Sequence, residues 1–165
     1  PQRVEAFVAS VTEHYGAVDV LVNNAGVVWV GDYAEQAQAG IDEVIDVNLK
    51  GTMHMARAVL PGMLRRGDGA IINIASGAGL HGFPKVVAYC ASKFGVVGFT
   101  ESLAQEVENR GVRVYAICPG RVATDMQVQY SGARVGIPPE QVAERVLELA
   151  NPKTRARTGS CITVG

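Results

Sequence analysis

Between Ser76 and Lys93 the chain gathers a hydroxyl, a phenol and an ammonium, in the run Ser76-Gly-Ala-Gly-Leu-His-Gly-Phe-Pro-Lys-Val-Val-Ala-Tyr89-Cys-Ala-Ser-Lys93. The preceding apolar run, Ala70-Ile71-Ile72-Asn73-Ile74-Ala75, reads as a strand that delivers Ser76 to its carboxyl end. A glycine-rich loop then leads into a helix expected to begin near Tyr89. Tyr89 and Lys93 are four apart on that helix, so phenol and ammonium share one face. Such a trio suits acid–base chemistry on a carbonyl or an alcohol. Each member also has an ordinary reading. A Tyr–Lys pair at this spacing is usually solvated, and a serine after a strand is usually a turn residue. The weight of the trio depends on the elements that hold it.

Those elements belong to a compact, uncharged background. The 165 residues are 48% hydrophobic and 19% charged, which suits one globular domain with a substantial core. Lys and Arg total 15 against 16 Asp and Glu, a formal net charge of -1, so neither nucleic acid nor an anionic membrane is expected as partner. Cys90, Cys118 and Cys161 lack metal or disulfide spacing and read as reduced thiols of a cytoplasmic protein, and the three histidines are scattered. No metal site is expected. No apolar run approaches the roughly 20 residues of a membrane span, and no signal peptide is seen.

Taken in order, residues 1 to 15 predict an amphipathic helix with Val4, Phe7, Val8, Val11 and Tyr15 on one face, Pro1 in its first turn and Gly16 at its stop. Val18 to Asn23 predicts a short strand covered on both faces. Asn23-Asn24-Ala25-Gly26 ends it, either as a plain turn or as a place where small residues admit a flat ligand. A helix is predicted from about Gly40 to Arg66, bent at Gly51 or Pro61, with Asn48 among its apolar residues. A buried asparagine needs partners, which local backbone could supply, or else it could hold a water for a proton relay. The helix of Tyr89 is expected to run to about Asn109, with Val96, Phe99, Leu103 and Val107 inward. A strand over Val112 to Cys118 is stopped by Pro119-Gly120. Residues 121 to 138 read as loop or short irregular helices, Pro139 to Ala150 as a helix, Arg155 to Thr158 as solvated, and Cys161 to Val164 as a last strand. Alternating strands and helices predict an α/β fold, a doubly wound parallel sheet with helices on both faces. Ligands bind such sheets at the carboxyl ends of strands, where Asn23 to Gly26, Ser76 and Pro119-Gly120 all lie.

With these residues in view, the chain resembles the short-chain dehydrogenase/reductase family over almost its whole length. Asn23-Asn24-Ala25-Gly26 matches the family's NNAG element, and Asn48 in Asp46-Val47-Asn48-Leu49-Lys50-Gly51 matches its catalytic asparagine. Ser76 matches the catalytic serine, Tyr89 to Lys93 the YxxxK motif, and Pro119-Gly120-Arg121-Val122-Ala123-Thr124 the PG-x-V-x-T segment. The Tyr–Lys interval separates it from the enoyl-reductase relatives, and the NNAG element from the epimerase-like ones. The family's Gly-rich turn TG-x-x-x-G-x-G is not found. The chain is therefore expected to be a fragment, a single NAD(P)-binding Rossmann-type domain over residues 1–165, three-layered α/β/α and N-terminally truncated, inactive alone.

The resemblance implies an oxidoreductase that moves a hydride reversibly between NAD or NADP and a carbonyl or hydroxyl of a small or medium substrate. It implies Tyr89 as acid and base, with Lys93 favouring the phenolate and contacting the nicotinamide ribose. Ser76 would donate to the substrate oxygen, and Asn48 would hold a water. Asn24, Ala25, Gly26, Pro119, Gly120, Val122 and Thr124 would join Tyr89 and Lys93 around the cofactor. Specificity would reside in about Asp125–Ile137, and a homodimer or homotetramer would pack through the helices at Gly40–Arg66 and Tyr89–Asn109. The competing expectation is a silent binding or scaffold domain, against which the intact set Asn48, Ser76, Tyr89 and Lys93 argues. Dehydratase or epimerase chemistry on the same fold is a third reading.

Overall fold

The structure is a computed structural model in which residues 2–165 are described. Four strands form one parallel sheet in the order β1 (Val20–Asn23), β2 (Gly69–Ile74), β3 (Val112–Pro119), β4 (Cys161–Val164). Parallel neighbours need crossovers, and helices supply them. α2 (Gln38–Ile45) and α3 (Gly51–Arg66) join β1 to β2, α4 (Val87–Glu106) joins β2 to β3, and α5 (Asp125–Ser131) and α6 (Pro139–Ala150) join β3 to β4. α1 (Gln2–Tyr15) precedes β1 and packs on α3. Register pairs Asn23 with Asn73 and Ile74 with Ile117, so the strand ends carrying the candidate residues align along one rim.

The side-chain alternation of the strands sorts the core into two layers. Ile71, Val112 and Val114 point toward α3 and α4, where Ala56, Val59, Met63, Leu103 and Val107 meet them together with Val8 of α1. Ile72, Tyr115 and Ile117 point the other way, onto Leu149, Val142 and Val146 of α6. Helices therefore cover both faces, as the α/β alternation predicts. β3 to β4 steps across the sheet in the same direction as β2 to β3, yet its helix lies on the opposite face. The two crossovers thus have opposite hands, in a class of connection where one hand dominates.

Three expectations need correction. β1 is covered on one face only: Leu21 is buried, while Val20 and Val22 stand 37% and 41% exposed, because α6 packs chiefly on β2 and β3. The stripe of α1 is narrower than its periodicity suggests, since Val8 alone is buried and Phe7 and Tyr15 are 58% and 85% exposed. The expected role of Pro1 in that helix falls outside the described residues. The long helix over Gly40–Arg66 starts earlier, at Gln38, and is not regular: residues Asp46–Lys50 form a π turn, with the Gly51 N–H reaching back to Asp46 O. The irregularity precedes Gly51, and Pro61 lies inside α3. Elsewhere the shifts are at element ends. α4 starts at Val87 and stops at Glu106, short of Asn109, which takes a left-handed φ of 64°. Thr158 is not simply solvated, because its hydroxyl accepts from Val114 N and so fastens the last loop to β3. The segment after β3 does form a short helix, α5, capped by Thr124 Oγ1 accepting from Gln127 N.

Candidate active site

The rim of the sheet opens into a cavity of about 910 Å³. Asn24, Ala25 and Gly26 after β1, Ser76 after β2, Tyr89 and Lys93 on α4, and Pro119, Gly120, Val122 and Thr124 after β3 all line it. Thus three strand ends and one helix bring ten of the eleven sequence-selected residues to a single space. Asn48 is the exception. It lies behind the cavity wall, 1% exposed.

Lys93 enters from α4 with its ammonium nearly buried. Its Nζ donates to Ile74 O at 2.8 Å, the one protein acceptor it has among the described residues. An ammonium carries three donors, so others remain for a ligand. The same Nζ lies 5.7 Å from the Tyr89 ring centroid, within cation–π range. Burial lowers the Lys93 pKa to about 8, with the nearby Cys118 opposing that fall. At neutral pH the group therefore remains mostly cationic.

The Tyr89 phenol is shifted upward. Burial pushes its pKa up, with the neighbouring Ser76 hydroxyl opposing that rise and Cys90 adding to it. The phenol is thus held as an acid. Ser76 itself stands in extended backbone, its Oγ accepting from Ala78 N at 3.1 Å. That bond starts a short 3₁₀ turn, Gly77–Gly79, which lies directly on α4: a Cβ on Gly79 would sit 2.7 Å from Lys93 O. The absent side chain lets the Ser76 loop and the Lys93 turn approach each other.

Asn48 has protein partners for its whole amide. Its Oδ1 accepts from Val27 N at 2.8 Å, and its Nδ2 donates to Val27 O at 2.9 Å and to Ser92 Oγ at 3.0 Å. Both amide protons have protein acceptors. The side chain clamps the peptide that follows Gly26, where an added Cβ would lie 3.3 Å from Asn48 Oδ1. The π turn presents Asn48 to that peptide, a local widening of the kind often found at functional sites.

Sequence reasoning missed Ser92, Thr52, Asn73 and Thr100. A signal existed for two of them: Ala88, Ser92, Val96, Thr100 and Ala104 form one i, i+4 stripe on α4, all buried. Hydroxyls on an apolar stripe mark a polar contact inside the core. The lower cavity wall, formed by Val142, Val146 and Leu147 of α6 against Val22 and Ile74, was not foreseeable from motifs at all.

The short chain dehydrogenase family model matches residues 1–134. The chain belongs to the short-chain dehydrogenase family. It is 42% identical over 186 residues to a putative ketoacyl reductase of Streptomyces coelicolor, a match covering 98% of this chain and 71% of that protein. It is 34% identical over 176 residues to the 3-oxoacyl-[acyl-carrier-protein] reductase FabG of Vibrio cholerae, covering 99% and 72%. With the D-beta-hydroxybutyrate dehydrogenase of Rhizobium meliloti it shares 39% identity over 155 residues, covering 92% and 60%. Among solved structures, that titled ElxO with NADP bound superposes with a TM-score of 0.91 at 27% identity, covering 99% of this chain and 72% of that one. The short-chain dehydrogenase fold thus carries an oxidoreductase assignment. No described helix is long and apolar enough to cross a membrane.

Proposed function

We propose that residues 1–165 belong to a single NAD(P)-binding unit of an enzyme that catalyses reversible hydride transfer between NAD or NADP and the carbonyl or hydroxyl of a small or medium substrate. One observation carries the reading: Tyr89, Lys93 and Ser76 line the same cavity as every residue selected for the cofactor. The fit is chemical as well as spatial. A buried ammonium with unused donors suits ribose hydroxyls. Gly26 and Gly120 leave backbone accessible to a flat ring. When bound, the cofactor supplies the hydride, so the protein must supply a proton and position.

Tyr89 is the proton donor for reduction, and its raised pKa keeps that proton in place until it is needed. Ser76 donates to the substrate oxygen as charge develops there. Its Oγ accepts rather than donates within its own turn, which leaves the hydroxyl proton available for that bond. Lys93 holds the ribose and favours the phenolate once Tyr89 has lost its proton. Asn48 acts by holding the Val27 peptide, and with it the Asn24–Gly26 wall. Val122 and Thr124 frame the carboxamide end. The relatives' names specify a ketoacyl reductase, a 3-oxoacyl-[acyl-carrier-protein] reductase and a D-beta-hydroxybutyrate dehydrogenase, so a 3-oxoacyl thioester is the first substrate to try. We place the enzyme in the cytoplasm, as a homodimer or homotetramer joined through α3 and α4.

The test is turnover of a 3-oxoacyl thioester with NADH or NADPH, followed by absorbance. Tyr89→Phe should lower turnover by about a hundredfold or more while cofactor affinity, measured by calorimetry, changes little. A Tyr89→Phe protein with parental turnover overturns the proton-donor role.

A further inference from the structure

The buried polar side chains of this fold close a ring. Starting on α4, the Thr100 hydroxyl donates to Val96 O at 2.8 Å. Having used its only proton there, it can do nothing but accept from Asn73 Nδ2, 2.9 Å away on β2. That fixes the Asn73 amide, whose Oδ1 must then face Asn23 Nδ2 on β1, at 2.9 Å. Asn23 Nδ2 also approaches Thr52 O on α3 at 3.4 Å, and the Thr52 hydroxyl donates to Asn48 O at 2.9 Å. Asn48 donates to Ser92 Oγ, whose own proton goes to Tyr89 O at 2.7 Å. The path leaves α4 at Thr100, visits β2, β1 and α3, and returns to α4 at Ser92 and Tyr89. Two of its amides, Asn73 and Asn48, meet a hydroxyl already bonded to its own helix.

We propose that Asn73 and Thr100, neither of which lines the cavity, are positioning residues for Tyr89 and Lys93, locking the register of α4 against β1 and β2. The inference rests on the reading of Tyr89 and Lys93 as the reacting pair. Its physical basis is leverage at two points on one helix. Asn73 is the neighbour of Ile74, whose carbonyl receives the Lys93 ammonium. Thr100 holds Asn73, Lys93 holds Ile74, and Ser92 holds Asn48, so α4 is fastened near the Ser92–Lys93 turn and again two turns on, at Thr100. Thr100, Asn73 and Ser92 are all fully buried, so water cannot stand in for a lost member. Removing one leaves an unmatched amide, and the relaxation open to it is a shift of α4 relative to the sheet.

The experiment uses the 165-residue chain with selectively ¹³C-labelled lysine. The titration of Lys93 is followed by NMR, alongside turnover, in the parent and in Thr100→Val, Thr100→Ser and Ser92→Ala. The groups facing Lys93 are Tyr89 on its own helix and Cys118 from β3; the Thr100 variants touch neither, and Ser92→Ala meets Tyr89 through its backbone carbonyl alone. In a folded Thr100→Val protein the Lys93 midpoint should rise by about half a pH unit or more as its burial loosens. Turnover should fall about tenfold, with a smaller change in the cofactor KM. Thr100→Ser keeps the acceptor and should restore both. Ser92→Ala opens the ring on its other side with the same expectation, which preserves the test should Thr100→Val not fold. A folded variant that is less stable but keeps the parental Lys93 midpoint and turnover overturns the proposal. The Lys93 midpoint decides the proposal even where the 165-residue chain turns over no substrate: a displaced midpoint in a folded Thr100→Val protein supports the ring, and an unmoved one overturns it.

Discussion

Lys93 is where residue-level physics is most exposed to measurement. Its pKa falls from 10.5 in the unfolded chain to about 8 in the fold. Below pH 8 both states are protonated, and the buried charge destabilises the fold by about 3 kcal/mol. Between pH 8 and 10.5 the unfolded chain retains a proton that the fold has released, so this group's contribution to stability rises with pH. Tyr89, Cys118 and Cys161 are all pushed up by burial and pull the opposite way at alkaline pH. They are present in a Lys93→Met protein too, so the comparison separates them. Urea unfolding at pH 7 and pH 10 should show the parent gaining on Lys93→Met as the pH rises. A constant difference would mean that Lys93 is solvated in the fold. The motif spacing identified this lysine, but its lowered pKa could not be read from spacing, because it comes from β2, β3 and α4 closing around it.

At the level of elements, types were legible and irregularities were not. The strands at Asn23, Ala70 and Val112, and the helices of Tyr89 and Pro139, follow from local apolar patterning, which needs no knowledge of neighbours. The π turn at Asp46–Lys50 does need it, since widening the helix is repaid by Asn48 reaching Val27 and Ser92. The Ser76 turn is similar. Gly79 is required by a backbone 2.7 Å from where its Cβ would lie, whereas Gly82, a few residues on, has nothing within 4 Å. Gly79→Ala should therefore destabilise by about 1–3 kcal/mol by overpacking. Gly82→Ala should be neutral or slightly stabilising, because only the unfolded chain loses freedom. Equal denaturation midpoints for the two would refute the close approach of the Ser76 turn to α4.

For the whole molecule, the surface of α4 complements its interior. Val87, Ala91, Phe94 and Gly98 fall on one exposed stripe of apolar or small residues, opposite the buried stripe of Ser92 and Thr100. Under the proposed assembly through α3 and α4, that stripe packs against a second copy. Phe94→Glu should shift the protein toward monomer in light scattering without lowering its thermal midpoint much; an unchanged mass would place the interface elsewhere. By itself the sequence determined the element types, the parallel α/β class, and the motif residues and their order, because each depends on local periodicity or on fixed spacing along the chain. Tertiary structure alone decided which face each crossover takes, the one-sided cover of β1, the α6 wall of the cavity and the polar ring through Asn73. Those depend on which residues meet across tens of positions, and the pairing of Asn73 with Thr100 or Asn48 with Ser92 has no signature until the sheet brings them together.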